Sequence, residues 1–278
     1  MSVPVFLILL IAVAVCLSLV MIVAWRIERR TGNAGWVDVC WTFGVGLVGA
    51  VAALAALSQG SLVRILLVAG LILLWSLRLG LHLVSRTKGI KDDPRYARMK
   101  QEWGSDAAMG MFKLLQSQAL VSIPLVLSVA LAAWSPVTVF RPQDALALAV
   151  GLVAIVGEGL SDRQLRAFRA TSGNEGRFCD IGLWRWSRHP NYFFEWFGWL
   201  AYALFAIDFT GGHPFGSYPW GWLALSGAAC MYWLLNHVSG IPPLEQHMLE
   251  KYGERFRAYC RRTSAFFPLP PSSSHSRS

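Results

Sequence analysis

The sequence predicts an all-α polytopic membrane protein with seven transmembrane helices, and three observations lead to this class. Of the 278 residues, 55% are hydrophobic and only 15% are charged, and the mean hydropathy is +0.45. This composition is too apolar for an ordinary soluble domain. Apolar runs recur along the chain, each of roughly the 20 residues that cross a bilayer as a helix. Basic residues cluster after alternate runs, as expected for a chain that crosses the membrane repeatedly.

The predicted spans lie at about 3–25, 36–57, 62–84, 114–134, 143–162, 191–209 and 218–238. The first run is not expected to be a signal peptide, because it lacks a basic n-region, is too long for an h-region and has no small-x-small cleavage site. We therefore predict a single seven-helix membrane domain over residues 1–267. Residues 268–278 form a low-complexity tail that we expect to be disordered.

The positions of Lys and Arg predict the orientation. All but three of the 25 basic residues follow the first, third, fifth or seventh span, and the exceptions are Arg64, Arg78 and Arg141. The positive-inside rule then places the N-terminus outside and the C-terminus in the cytoplasm. We expect an integral, multi-pass protein of a bacterial inner membrane. Attraction to anionic lipid is an alternative explanation for the basic clusters.

Several common motifs are absent. The five cysteines are scattered, without a C-x-x-C pair or metal-ligand spacing, so neither disulfides nor a metal site is predicted. The chain has no G-x-G-x-x-G motif opening a βαβ unit, no P-loop and no H-E-x-x-H motif. Any nucleotide must therefore be bound by helix ends and loops rather than by a Rossmann domain.

Five polar side chains lie within eight residues at the start of the sixth span. They are Arg188, His189, Asn191, Tyr192 and Glu195. Because Pro190 suits the first turn of a helix, the first two are expected just outside the helix and the other three in its opening turns. Unpaired polar groups are costly in this setting, which favours a binding site. The alternative is a membrane-interface anchor, although an anchor needs neither Asn nor Glu.

Ionisable side chains inside predicted spans are candidate site residues, because a charge in the bilayer usually faces a cavity or a partner. Asp38 opens the second span, where a favourable charge at a helix N-terminus is the alternative. Arg78 and His82 lie four residues apart in the third span, with Trp75 one turn earlier. These three side chains are expected to form one polar and aromatic stripe.

A second stripe leaves the fifth span. Glu158 and Asp162 are four residues apart, and Arg166 and Arg169 continue the same helix face. Acids followed by guanidinium groups suit a ligand with hydroxyls at one end and phosphates at the other. A helix face that pairs with itself is the alternative.

After the seventh span, a further helix is predicted at about 244–262. Its aromatic face has residues at helical spacing, namely Glu245, Leu249, Tyr252, Phe256 and Tyr259. Such a helix could lie on the membrane surface, or its aromatic face could cover a cytoplasmic cavity.

Together these residues resemble the integral-membrane family of steroid 5α-reductases, and most closely its bacterial branch of unknown function with a steroid-reductase-like C-terminal half. A more distant resemblance is to isoprenylcysteine carboxyl methyltransferases. The resemblance spans nearly the whole chain and is carried by residues 36–41, Trp75 with Arg78, and residues 93–96, 161–169, 188–195 and 240–268.

The resemblance implies a seven-helix fold that holds NADPH in a cytoplasm-facing cavity, with a lipid-like enone entering from the bilayer. It implies that Asp162, Arg166 and Arg169 contact the adenosine and phosphate end, and that Asn191 and Glu195 lie by the nicotinamide and the substrate. The cofactor-binding residues predicted in this way are Arg78, Asp162, Arg166, Arg169, Arg188, His189, Asn191, Tyr192 and Tyr252.

The chain also departs from steroid 5α-reductases. Those enzymes carry a Gln-Glu pair in the second helix and a Tyr in the third, whereas this chain has no such pair and has Trp75 near the Tyr position. We predict Trp41 and Trp75 as substrate-binding residues. The predicted catalytic residues are Asp38, His82 and Glu195, because a buried carboxyl or imidazole can donate or relay a proton to an enolate-like oxygen.

The function predicted from these features is NADPH-dependent hydride transfer to the C=C of a lipid or steroid-like enone. The alternative is an S-adenosylmethionine-dependent membrane methyltransferase of the isoprenylcysteine or phospholipid type, which shares the Arg-His-Pro-x-Tyr motif. S-adenosylmethionine has no phosphates, so aligned arginines favour NADPH. A third possibility is a lipid-binding scaffold. The expected partners are a lipophilic small molecule and membrane lipids, with no nucleic acid, and the oligomeric state stays open.

Overall fold

The computed structural model describes residues 1–174, 176–209 and 218–271, and this part of the chain is α-helical. Its α-helices are Val3–Thr31 (α1), Gly35–Leu54 (α2), Leu62–Thr87 (α3), Pro94–Trp103 (α4), Ala107–Ala133 (α5), Pro142–Ala170 (α6), Pro190–Ala206 (α7), Leu225–Trp233 (α8), Ile241–Tyr252 (α9) and Glu254–Arg262 (α10). Short 3-10 turns lie at Gly104–Asp106, Gly182–Arg185 and Pro219–Ala224, and a π turn lies at Leu234–Val238. The predicted all-α class is confirmed for the described residues.

Five helical segments in the described chain are long and apolar enough to cross a membrane: α1, α2, α3, Pro94–Ala133 and α6. They correspond to the first five predicted spans, although the second predicted span runs three residues past Leu54 and the fourth one residue past Ala133. The last two predicted spans overlap α7, which has 17 residues, and α8, which has 9 and is flanked by the 3-10 and π turns. Both helices are shorter than the roughly 20 residues of a full span. A multi-pass membrane protein is therefore supported, while seven spans and their orientation stay predictions.

The first helix shows why these segments suit lipid. Its exposed apolar side chains include Ile8, Ile11, Val15, Leu19 and Val23, which recur every three or four residues. This spacing gives α1 one continuous apolar face. The helix ends where Gly32 adopts a φ of +68°, a conformation that side chains other than glycine rarely adopt.

The described chain forms two compact units, and each is described by itself. The first unit comprises Met1–Leu148 and Ala201–Gly227. Within it, α2 packs against α3 and α1, and α1 packs against α5. At Gly46 the backbone of α2 approaches α3 so closely that a Cβ atom would lie 2.2 Å from the Ser76 side chain. Glycine at this position therefore permits the two helices to pack.

A buried ion cluster explains two of the three basic residues that break the charge pattern. The Asp144 carboxylate accepts from Arg64 Nη2 at 2.9 Å and from Arg141 Nη2 at 2.8 Å. Arg64 also donates to the Val139 carbonyl at 3.0 Å, and Arg141 to the Phe205 carbonyl at 2.7 Å. Both guanidinium groups are buried. A second carboxylate, Asp208, lies 3.8 Å from Arg141 Nη1. The two guanidinium charges are thus paired with acids inside the protein and are not available as an orientation signal.

A second ion cluster in this unit joins three separate segments. Lys100 Nζ lies 3.0 Å from a Glu28 oxygen and 2.8 Å from an Asp92 oxygen. Asp92 also accepts from the Ala34 N–H at 2.8 Å. The end of α1, the start of α2 and helix α4 are thereby tied to one lysine.

The second unit comprises Ala149–Leu200 and Ala228–Ser278. The helix predicted over residues 244–262 is divided into α9 and α10 at Gly253, which has a φ of +52°. The predicted disorder from Pro268 onward is wrong at its start, because the Leu269 N–H donates to the Trp186 carbonyl at 3.0 Å. Residues 272–278 of the predicted tail lie outside the described residues.

Candidate functional site

The polar stretch 188–195 has the local form predicted from the sequence. Helix α7 begins at Pro190, so Arg188 and His189 lie just before it and the other polar residues lie in its first turns. The preceding 3-10 turn is attached to α6 in two places. The Trp184 indole donates to the Ser161 carbonyl at 2.9 Å, and the Leu183 N–H donates to Gln164 Oε1 at 3.0 Å. The end of α6 and the start of α7 are thus joined by hydrogen bonds.

Arg188 connects this stretch to the C-terminal part of the chain. Its Nε and Nη2 atoms lie 2.7 and 3.0 Å from the two oxygens of Glu245 on α9, which is a two-pronged guanidinium–carboxylate pair. Nη1 donates to the carbonyls of Cys260, at 3.2 Å, and Thr263. The backbone N–H of Arg188 donates to the Ser264 carbonyl at 2.8 Å. One side chain therefore holds α9, the end of α10 and the segment that follows.

His189 is buried and shares the same carboxylate. Its Nε2 lies 2.8 Å from Glu245 Oε1, and its ring stacks on Tyr192 with centroids 5.5 Å apart. Burial lowers the pKa of His189; Glu245 opposes this effect and the charge of Arg188 adds to it. The net direction of the pKa shift is downward because burial is the largest of these effects. A neutral His189 that donates from Nε2 keeps Nδ1 as an acceptor.

Glu245 is the charged centre of this cluster. Burial raises the pKa of Glu245, but hydrogen bonds from His189 and Arg188 and the charge of Arg188 outweigh this effect. The net result is a pKa lowered from 4.5 to about 2. The side chain is therefore a carboxylate at neutral pH. We refer to Arg188, His189 and Glu245 below as the Glu245 cluster.

Asn191 and the α6 stripe lie next to each other. Asn191 Nδ2 is 3.5 Å from Asp162 Oδ1, a long hydrogen bond at the outer limit of useful geometry. Beyond Asp162, Arg166 and Arg169 are exposed on the last turns of α6, while Glu158, one turn earlier, is buried. The predicted stripe and the polar stretch therefore meet at Asp162 and Asn191.

Glu195 faces the interior of the second unit. It is 8% exposed, and its Oε1 accepts from the Trp199 indole, one helical turn later, at 3.1 Å. Its place in the first turns of α7 follows the prediction. Its predicted role as a proton donor stays a prediction.

The aromatic face of α9 and α10 packs on protein. The Phe178 ring lies 5.2 Å from the ring of Tyr252, 5.5 Å from that of Phe256 and 5.3 Å from that of Tyr259, measured between centroids. The Tyr259 hydroxyl lies 3.1 Å from the Cys179 carbonyl oxygen. This face therefore packs on the segment between α6 and α7. The cytoplasmic cavity that it could cover stays a prediction.

In the first unit, Asp38 is held by two donors. One oxygen accepts from Arg95 Nη2 at 2.5 Å and the other from the Tyr96 hydroxyl at 2.9 Å. The Gln118 amide donates to the Tyr96 hydroxyl at 3.2 Å. Asp93 accepts from Arg95 Nε at 3.0 Å. Asp38 therefore lies in an acceptor position within a polar network.

The two candidate substrate tryptophans contact each other in the first unit. The rings of Trp41 and Trp75 meet edge to face with centroids 6.2 Å apart. The Trp41 indole donates to Ser122 Oγ at 2.7 Å. Arg78 and His82 are half-buried further along α3, on the face that Trp75 begins.

The predicted site residues thus form two groups. The first unit holds Asp38, Trp41, Trp75, Arg78 and His82, and the second holds Asp162, Arg166, Arg169, Arg188, His189, Asn191, Tyr192, Glu195 and Tyr252.

Sequence reasoning missed several partners of these residues. Glu245 is noticeable in the sequence only as a member of an aromatic helix face, and Arg95 and Tyr96 only as part of a segment that carries the resemblance. Gln118 has no signal in the sequence. An acid on an otherwise aromatic face is a signal that could have identified Glu245, because a buried carboxylate requires a cationic partner.

Comparison with known proteins places the chain in a family without an assigned activity. No curated protein matches the chain, and no solved structure matches it. A family model described as a protein of unknown function, DUF1295, matches residues 24–263, which include every predicted site residue. The chain therefore belongs to the DUF1295 family.

Proposed function

We propose that this chain is a membrane reductase that uses NADPH to saturate the C=C of a lipid or steroid-like enone. The observation that supports this most is the contact between Asp162 and Asn191, because it joins the acid-and-arginine stripe of α6 to the polar start of α7. Under the proposal, these are the two ends of one dinucleotide site.

The donor set of the second unit fits such a cofactor. Arg166 and Arg169 are exposed guanidinium groups one turn apart, and guanidinium groups bind phosphate oxygens in pairs. Asp162 offers a carboxylate to ribose hydroxyls. The Asn191 amide, with its single long hydrogen bond, has capacity left for a carboxamide such as that of nicotinamide.

When bound, NADPH supplies the hydride, and the chain must supply a proton and exclude water. Asn191 would orient the nicotinamide end, and apolar helices would keep water from it. Asp38, His82 and Glu195 stay the candidate proton donors. Of these, Glu195 is 8% exposed and carries the Trp199 hydrogen bond, while Asp38 already accepts from two donors.

The Glu245 cluster would position Asn191 in this site and would take no part in the hydride or proton transfer itself. Its hydrogen bonds fix the turn immediately before Asn191, and Glu245 does so from another helix. A positioned amide costs less to align in each turnover than a mobile one.

One observation is also compatible with the methyltransferase alternative. Arg188 and His189 of the Arg-His-Pro motif pair with Glu245 on a C-terminal helix. This resembles the methyltransferases of the isoprenylcysteine and phospholipid type, which have the same motif and an acidic C-terminal helix. The link does not discriminate, because either cofactor could use it. The arginines do discriminate, since S-adenosylmethionine has no phosphate for them.

The test is nucleotide binding to the detergent-purified full chain. We expect NADPH to bind by titration calorimetry, with S-adenosylmethionine at least tenfold weaker. Arg166→Ala/Arg169→Ala should weaken NADPH binding at least tenfold, about the loss of one charge-assisted contact. Arg163→Ala/Arg177→Ala removes the same charge from exposed positions off the stripe and should leave affinity unchanged.

Two results would contradict the proposal. One is binding of S-adenosylmethionine with no binding of NADPH, which would support the methyltransferase alternative. The other is equal NADPH affinity in both double variants, which would mean that the stripe does not contact phosphate.

A further inference from the structure

An open groove in the first unit is lined by none of the predicted site residues. It has a volume of about 340 Å³ and lies between the end of α1 and the start of α5. Its lining consists of Trp25, Ser105, Asp106, Ala108, Met109 and Phe112. This volume falls in the range of roughly 300–1,000 Å³ that is typical of small-ligand sites.

The floor of the groove is apolar and well fixed. The rings of Trp25 and Phe112 meet edge to face with centroids 5.6 Å apart, and the Trp25 indole donates to the Ala108 carbonyl at 3.1 Å. Trp25 has therefore no donor left for a ligand and presents its ring surface. Met109 is 56% exposed beside it. A flexible thioether and two aromatic rings suit a hydrocarbon chain.

The rim of the groove has charges of both signs. Asp106 is an exposed carboxylate in the lining. Arg29 is exposed and lies four residues after Trp25, so it extends from the same face of α1 one turn beyond the groove floor. α1 is long and apolar enough to span a membrane, and the arginines after Trp25 mark its predicted cytoplasmic end. The groove is thus expected at the level of lipid headgroups.

We propose that this groove binds a phospholipid whose headgroup ends in a primary ammonium, such as phosphatidylethanolamine. The ammonium would donate to the Asp106 carboxylate, the phosphate would accept from Arg29, and an acyl chain would lie over Trp25 and Phe112. The pair of charges selects this occupant. An anionic headgroup without an amine would satisfy Arg29 but meet repulsion from Asp106, and a choline headgroup has no N–H to donate.

The test begins with the unaltered, delipidated full chain in detergent. Native mass spectrometry would compare binding of phosphatidylethanolamine, phosphatidylglycerol and phosphatidylcholine with identical acyl chains. We expect phosphatidylethanolamine to bind about fivefold more tightly than either, the scale of one exposed charge-assisted contact. Equal binding of the three lipids, or tighter binding of phosphatidylglycerol, would overturn the proposal, and no variant is needed to reach that result.

Two variants then assign the contacts. Asp106→Asn should remove the preference for phosphatidylethanolamine, while Glu102→Gln, a matched loss of one exposed carboxylate that pairs with Arg98, should keep it. Arg29→Gln should weaken the binding of all three lipids. Arg30→Gln, an equal loss of charge on another face of α1, should leave their binding unchanged. A preference that survives in Asp106→Asn would assign the selectivity to another site and contradict the proposal.

Discussion

Arg188 and Glu245 are 57 residues apart in the chain and form a two-pronged ion pair, with Nε–Oε1 and Nη2–Oε2 distances of 2.7 and 3.0 Å. The Arg188 side chain is 10% exposed and that of Glu245 is 21% exposed. Because both charged groups are largely shielded from water, each is stabilised by the opposite charge of its partner. The relationship makes α9 part of the candidate site, because Glu245 fixes the position of Arg188 just before α7.

The first prediction is that Glu245→Ala destabilises the protein. The variant leaves the Arg188 guanidinium largely buried without its counter-charge and removes the acceptor of His189. We expect a loss of about 2 kcal/mol, somewhat below the 3–5 kcal/mol typical of fully buried pairs because Glu245 is partly exposed. The measurement is the thermal unfolding midpoint of the purified protein in detergent, followed by tryptophan fluorescence.

The matched control is Glu250→Ala on the same helix. Glu250 is exposed and accepts only from the Gln246 amide at 3.1 Å, one turn earlier. Its removal should change the stability by less than about 0.5 kcal/mol. Equal midpoints for the two variants would contradict a structural role for the Arg188–Glu245 pair.

The second prediction concerns pH. Burial lowers the pKa of His189 in the folded protein from the ordinary value of 6.5. Below pH 6.5 the unfolded chain therefore takes up a proton that the folded chain does not. The contribution of His189 to stability is complete above pH 6.5 and is lost as the pH falls toward and through the folded pKa. We expect the thermal unfolding midpoint of the unaltered protein to decrease as the pH is lowered from 7 to 5.

His189→Gln should flatten this part of the pH profile, because glutamine does not titrate. His247→Gln, at an exposed position on α9, should keep the slope of the unaltered protein. Glu245 does not interfere, because its folded pKa is about 2 against an ordinary 4.5, and its contribution is lost only as the pH falls below 4.5. Identical profiles for the unaltered protein and His189→Gln would show that another group titrates.

The start of α7 shows how much of the site could be predicted. Proline fixes its own backbone angle and lacks an N–H, so Pro190 alone predicts where the helix begins and which polar residues precede it. The partner of Arg188 could not be predicted in the same way. Glu245 is noticeable as an acid on an aromatic helix face, but nothing in the local pattern of either residue selects Arg188 as its partner, 57 residues away.

The same limit applies to the fold. Apolar length predicts α1, α2, α3 and α6 because a span is a local property of the chain. It does not predict that α7 ends after 17 residues or that Asp144 pairs with both Arg64 and Arg141. From the sequence alone, Asp144 is an acid in the first turn of α6, where a negative charge interacts favourably with the helix dipole. Only tertiary packing brings Arg64 close to it.

The third prediction is that Asp144→Ala is strongly destabilising. Two buried guanidinium groups would lose their common carboxylate. Arg64 would be left with carbonyl acceptors, and Arg141 with carbonyl acceptors and the more distant Asp208 carboxylate at 3.8 Å. We expect a loss of about 3 kcal/mol or more, measured as a fall in the thermal midpoint. Asp180→Ala removes the partner of Arg262 in an exposed pair of 2.8 Å and should cost under about 1 kcal/mol. Similar losses in both variants would contradict the burial argument.

The last prediction separates function from structure at Asn191. Its recorded hydrogen bond to Asp162 is 3.5 Å long, so Asn191→Ala should change stability by less than about 1 kcal/mol. Under the proposed function, it should lower NADPH oxidation with lipid enones by about a hundredfold, the scale of losing one oriented donor in a transition state. Asn236→Ala is the matched control, because Asn236 makes a shorter bond of 3.0 Å to the Tyr232 carbonyl, outside the polar stretch. It should cost more stability than Asn191→Ala and leave turnover unchanged. The reverse result, a destabilised Asn191→Ala protein with full turnover per folded molecule, would make Asn191 a structural residue and remove it from the proposed site.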